Sequence, residues 1–285
     1  YLLSAISETS QKERKQMEII AHRGIARDRS EENTPLAFCR AVAYGFPMME
    51  LDVHLTKDDK LIVHHDPEVS HDGGRIKIRE HLLENLMTDG VCVAETVRFG
   101  QSRKVPALEM VLDIFLHQIR INVELKERGS GKVLAGLLKD MASRYFLFQS
   151  GEILQKLLVS SFEESELVMV KEAFPEMKTA FLEKRFQFPL YARDRKKLDR
   201  LKRLGVEAVH LPCRKAGREL VDYLKYQHGF AVRVYTVNDR DGLFKCLNLG
   251  VDGVFTDKAE ALSWMDVASV TKEASRSISV EFRVK

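Results

Sequence analysis

Short runs rich in Val, Ile and Leu recur along the chain from Met17 onward. Longer stretches separate them, in which apolar residues return every three to four positions. Eight runs carry the strand pattern: MEIIAH from Met17, MMELDVHL from Met48, RINVELK from Arg120, KLLVSSF from Lys156, KTAFLE from Lys178, EAVHLP from Glu207, FAVRVYTVN from Phe230 and DGVFTD from Asp252. Amphipathic segments such as PLAFCRAVAYG, GKVLAGLLKDMASR, SELVMVKEAF and RELVDYLKYQHG lie between them. Several end near Gly, as helices do where the next residue must turn left-handed. Eight strand–helix units in about 250 residues predict an α/β fold of the (β/α)8 TIM-barrel type. A doubly wound sheet is the alternative, disfavoured by the strand number and by the lack of a second-domain signal.

The pattern predicts an N-terminal tail over 1–16, one barrel domain over 17–268 and a C-terminal tail over 269–285. Between Pro67 and Pro106 the rhythm breaks, which predicts an insertion (67–106) after the second strand, lying over one mouth of the barrel. Long insertions of this kind are functional lids or irregular loops.

Within MMELDVHL the alternation separates two faces. Leu51, Val53 and Leu55 share the face that suits burial under helices, and Glu50, Asp52 and His54 share the face that points into the barrel. RINVELK repeats the arrangement, with Asn122, Glu124 and Lys126 inward. Buried carboxylates come paired or metal-bound. Glu50, Asp52 and Glu124 would form an all-oxygen site suited to one divalent cation, Mg²⁺, Ca²⁺ or Mn²⁺. A salt-bridge network with Lys126 and Arg23 satisfies the same three acids, and spacing alone leaves both readings open. His22 and Arg23 end the first strand, and His64, His65 and Asp66 follow the second. Active sites of such barrels gather at the carboxyl ends of the strands, so His22 and His65 are expected beside the acids. Two imidazoles near neutrality can serve as base and acid in one displacement. A phosphodiester, whose charge a dication and Arg23 would neutralise, is the natural substrate.

Composition narrows the field. The 285 residues are 45% hydrophobic and 31% charged, and 45 basic against 42 acidic residues leave a net charge of +3. That balance excludes a typical nucleic-acid binder. Cys39, Cys92, Cys213 and Cys246 are widely spaced, predicting neither a zinc site nor a disulfide framework. No apolar run approaches the roughly 20 residues that span a bilayer. The cytoplasm is the expected compartment, although a start at Tyr1 fits a missing upstream segment. The basic stretch from Arg193 to Gly205 could dock an anionic membrane, but a solvated helix with Leu198, Leu201 and Leu204 as its buried stripe accounts for it. Membrane contact is not the favoured reading, and the oligomeric state is left open.

These motifs carry a resemblance. AHRG with ENTPLAF, then ELDVHLTKDDKLIVHHD, NVELK, VYTVND and GVDGVFTD are similar to the glycerophosphodiester phosphodiesterase family over about Ile19 to Asp257. The resemblance implies a barrel enzyme that uses a divalent metal to hydrolyse small-molecule glycerophosphodiesters to sn-glycerol 3-phosphate and an alcohol. By position it implies His22 and His65 as the catalytic pair, with Glu50, Asp52 and Glu124 as metal ligands. It implies phosphate contacts from Arg23 and from Lys126, the lysine beside the third ligand. Tyr235 stands where members often carry Trp, and Arg233 and Tyr235 share a strand face that could line the substrate pocket. Three alternatives remain. A lysophospholipase D-type reaction would use an apolar lip, for which the insertion offers Val91, Val93, Val97 and Phe99. A Schiff-base lyase would use Lys126, and a binding protein would use the scaffold without catalysis.

Overall fold

Glu18 to Ala21 pairs on one side with Gly253 to Thr256 and on the other with Met48 and Met49, so first and last strands meet and the sheet closes. The structure is a computed structural model and describes residues 17–71, 74–87, 91–92, 105–144, 153–186 and 188–258. The expected tails lie outside the described residues, as do Val93, Val97 and Phe99 of the insertion.

The barrel strands are β1 (Glu18–Ala21), β2 (Met48–Leu55), β3 (Arg120–Leu125), β4 (Leu157–Ser161), β5 (Lys178–Leu182), β6 (Ala208–Pro212), β7 (Ala231–Tyr235) and β8 (Gly253–Thr256). All eight run parallel in chain order around the ring. They coincide with the eight sequence runs, and the doubly wound alternative is excluded by closure.

Helices pack outside: α1 (Pro35–Ala43), α2 (Leu108–Phe115), α3 (Ser130–Arg144), α4 (Glu164–Ala173), α5 (Ala192–Arg203), α6 (Arg218–Asp222) and α7 (Arg240–Leu249). Thr34 caps α1 by accepting from the amide of Ala37, with Pro35 in the first turn. Leu51, Val53 and Leu55 of β2 join Phe38, Leu112 and Leu134 in the outer core, as the alternation requires. Leu198 and Leu201 form the buried stripe of α5, while Leu204 is its half-buried cap. Among the described residues no helix is long and apolar enough to cross a membrane.

The segment after β2 turns back on itself. Leu61–Val63 runs antiparallel to β2, Val53 facing Val63 and Leu55 facing Leu61. Strands Glu68–His71, Gly74–Lys77 and Val91–Cys92 then form a small separate sheet. Ile62, Val69, Ile78, Leu86 and Val105 make an apolar cluster of their own beneath it. The hairpin returns the chain to the mouth of the barrel, where the amide of His64 donates to the carbonyl of Asp52 at 3.0 Å.

Candidate active site

The β2–β3 register sets Glu50 opposite Asn122 and Asp52 opposite Glu124. This brings Glu50, Asp52 and Glu124 together inside the barrel, one carboxylate oxygen from each within 4.8 Å of the others. All three are buried.

Their environments differ. Asp52 is the most heavily partnered: Lys126 Nζ donates to Oδ1 at 3.1 Å, Asn33 Nδ2 to Oδ2 at 3.0 Å, and Arg23 Nε lies 3.1 Å from Oδ2. Burial opposes its ionisation, but Lys126 and Arg23 outweigh it and hold the carboxyl well below its ordinary range. Glu124 accepts from Lys126 at 2.8 Å, yet burial and the charge on Asp52 push it upward. For Glu50, burial and Asp52 raise the pKa to about 8. Its Oε2 accepts from the amide of Arg23 at 3.0 Å, whereas Oε1 is buried with no partner among the described residues.

The salt-bridge alternative is thus realised for Asp52 and Glu124 but leaves one oxygen of Glu50 without a partner among the described residues. A divalent cation would resolve that deficit: the donors are all hard oxygens, one buried oxygen of Glu50 has no partner among the described residues, and added positive charge would stabilise the crowded anions. The residues fit such an ion.

His22 and His65 are each tied to a carboxylate through Nδ1. His22 follows β1 and Asp257 follows β8, so barrel closure sets them side by side, and Nδ1 of His22 hydrogen-bonds Oδ1 of Asp257. Asn238 Nδ2 donates to the other oxygen of Asp257 at 2.8 Å. Nε2 of His22 is 3.8 Å from Glu50. Burial lowers the His22 pKa, but Glu50 and Asp257 raise it more, and the net direction is upward.

His65, half-exposed at the mouth, bonds through Nδ1 to Oδ1 of Asp66 at 2.7 Å. Its net shift is downward, because partial burial together with Arg23 and Lys126 outweighs Asp52 and Asp66. His54 Nε2 donates to the carbonyl of His65 at 3.0 Å and anchors the returning strand. His64, of opposite parity, is buried against the backbone of Asp66.

Arg23 takes a left-handed backbone conformation (φ 57°), which turns its amide toward Glu50 while Nη1 donates to Glu32 at 2.6 Å. Arg23, Lys126, His22, His65, Glu50 and Glu124 line one cavity at the carboxyl ends of the strands, and Tyr235 joins them. Arg233 does not line it. It sits one inward step nearer the strands' amino ends, with Nη2 3.4 Å from Glu18, and fills the barrel instead.

Sequence reasoning did not single out Asn33, Asp257 or His210 as site residues. Asn33 braces Asp52 from both sides, its Oδ1 accepting the Asp52 amide at 3.2 Å. For Asp257 a signal was present: a carboxylate directly after the last strand must, in a closed barrel, face the residue after the first.

The sequence matches the model of the glycerophosphoryl diester phosphodiesterase family over residues 22–261. It is 30% identical over 246 residues to a glycerophosphodiester phosphodiesterase of Bacillus altitudinis, covering 84% of this chain and 94% of that protein. The fold is similar to the crystal structure of a glycerophosphodiester phosphodiesterase from Thermotoga maritima, with TM-score 0.63, 26% identity, and coverage of 87% of this chain and 97% of that one. It also matches a phosphodiesterase of Oleispira antarctica solved in complex with the product sn-glycerol-3-phosphate, with TM-score 0.66, 24% identity, and coverage of 85% and 93%.

Proposed function

The chain belongs to the glycerophosphoryl diester phosphodiesterase family, and from that premise we propose that it hydrolyses glycerophosphodiesters to sn-glycerol 3-phosphate and an alcohol by two-histidine acid–base catalysis. The observation that carries the reading is the convergence of three buried carboxylates and two carboxylate-anchored imidazoles on one cavity.

Glu50, Asp52 and Glu124 would hold a divalent cation. Bound there, it would neutralise phosphoryl charge that no neutral side chain could offset. Arg23 and Lys126 play two parts. They keep Asp52 ionised, and they present cationic nitrogens at the cavity wall as partners for phosphate oxygens. Of the two imidazoles, one takes a proton from the attacking water, or from the neighbouring glycerol hydroxyl in a route whose cyclic phosphate a water then opens, and the other returns a proton to the departing alkoxide. With Nδ1 of each ring engaged by a carboxylate, Nε2 is the atom left for proton transfer. Asp257 and Asp66 therefore act as positioning residues that fix ring orientation, and Asn33 fixes Asp52.

The test is product analysis by phosphorus NMR on glycerophosphocholine and on lysophosphatidylcholine, with a divalent ion supplied. Release of sn-glycerol 3-phosphate from the first, at a rate well above turnover of the second, supports the reading. Preference for the second would move the enzyme to lysophospholipase D chemistry, and turnover of neither would overturn both.

A further inference from the structure

The pairing of β2 with β3 ends at Val53 and Leu125, although β2 runs on to Leu55. A side chain takes over there. Glu127, which follows β3, accepts the amide of Leu55 on Oε1 at 2.6 Å, so a carboxylate oxygen stands in for a strand carbonyl. The same oxygen lies 3.3 Å from Nδ1 of His54. His54 is buried and Glu127 half-buried. Nε2 of His54 in turn donates to the carbonyl of His65 at 3.0 Å. One line of contacts thus runs from the end of the strand that bears Glu124 to the backbone of His65.

The Glu127 end is fixed, because its carbonyl accepts from Oγ of Ser130 at 2.5 Å where α3 begins. Burial opposes ionisation of its carboxyl, but the bonds from His54 and the Leu55 amide hold the group below its ordinary range. The His65 end needs such a hold. The antiparallel pairing with β2 stops at Val63, and beyond it the amide of His64 rests on Asp52 and the carbonyl of His65 on His54. Asp66 orients the ring but belongs to the same segment, so it cannot set where that segment stands in the barrel. Position matters here: misplacing a reacting group by about 1 Å can cost about 10²-fold in rate.

We propose that Glu127 and His54 form a strut between β3 and the backbone of His65, and that both are positioning residues for the His65 imidazole. This rests on the acid–base reading of His65 above and deepens it by naming what holds that group in register with Glu124 and Asp52. Neither strut residue meets the substrate. They act on the geometry of proton transfer, so their loss falls on kcat and leaves phosphate binding by Arg23 and Lys126 in place.

Two measurements on the same variants test it. Hydrogen exchange of the full chain, read by mass spectrometry, should show the amides of His64, His65 and Asp66 exchanging about three- to tenfold faster in Glu127→Ala and in His54→Leu, as loss of one net hydrogen bond allows. Kinetics on glycerophosphocholine with Mg²⁺ should show kcat falling about ten- to 100-fold in both, with KM within about twofold of the wild type. His54→Gln keeps an N–H that can reach the His65 carbonyl and is expected to restore kcat to within about threefold of the wild type. Since Glu127 is half-exposed, Glu127→Ala serves if His54→Leu does not fold. Unchanged exchange at these amides would overturn the proposal, as would a loss in KM rather than kcat, or His54→Gln no better than His54→Leu. Should exchange respond as expected while the wild type fails to hydrolyse glycerophosphocholine, the strut would stand and the reading of the reaction would fall.

Discussion

His22 and Asp257 meet across the seam of the barrel, joined by a hydrogen bond although 235 positions separate them in the chain. Asp257 is in turn held by Asn238, and burial, which raises its pKa, is overcome by the His22 bond, leaving it at about 2. It is therefore an anion throughout the neutral range. Asp257→Asn keeps the shape but loses the charge and allows the ring to turn, so activity is expected to fall on the order of tenfold or more. Steady-state kinetics should place the loss in kcat rather than in KM.

Removing either imidazole should cost more. General acid–base assistance contributes about 10²–10⁴-fold, so His22→Ala and His65→Ala should each reduce kcat by that order under saturating substrate. Near-normal turnover in either variant would break the assignment of that residue.

Two glycines of α3 should respond in opposite directions to the same substitution. A Cβ on Gly131 would lie 2.5 Å from the backbone oxygen of Glu166, at the contact where α3 meets α4, while one on Gly136 would meet nothing within 4 Å. Gly131→Ala is expected to destabilise the fold by about 1–3 kcal/mol through overpacking. Gly136→Ala, in the exposed face of the helix, is expected to stabilise by about 0.5–1 kcal/mol. Urea denaturation of the two variants checks both signs.

The cysteines offer a chemical check on the packing. Burial, chiefly, raises the Cys246 thiol to about 12, whereas Cys39 is exposed. At about pH 8 an alkylating reagent should modify Cys39 and spare Cys246 until the protein unfolds. Because the folded thiol binds its proton more tightly than the unfolded one, its contribution is complete below about pH 8.5. That contribution declines as pH rises toward about 12. Mass spectrometry of peptides from the native and the denatured protein reads the difference.

The fold was legible because each strand run keeps its apolar face under helices, as Leu51, Val53 and Leu55 do. Glu50 and Asp52 were legible for the same reason, since a period of two leaves little choice about which way they point. The path of His65 was not legible, because nothing in LIVHHD says that the segment runs antiparallel to β2 and folds back over it. Arg233 shows the limit of face assignment. It shares a face with Tyr235, yet one inward step along the strand moves it from the mouth to Glu18. His210 was hidden because one polar letter inside EAVHLP resembles an ordinary barrel-filling residue. Only the absence of a partner for its nitrogens marks it.

The central claim is that Glu50, Asp52 and Glu124 hold the divalent cation on which turnover depends. The most direct measurement is hydrolysis of glycerophosphocholine by protein stripped with EDTA, with metal content determined on the same sample and Mg²⁺, Mn²⁺ or Ca²⁺ then returned. The account predicts loss of activity on stripping, recovery as about one ion per chain is bound, and no recovery in Glu124→Gln at the same metal concentration. Full activity in protein that carries no metal would contradict it.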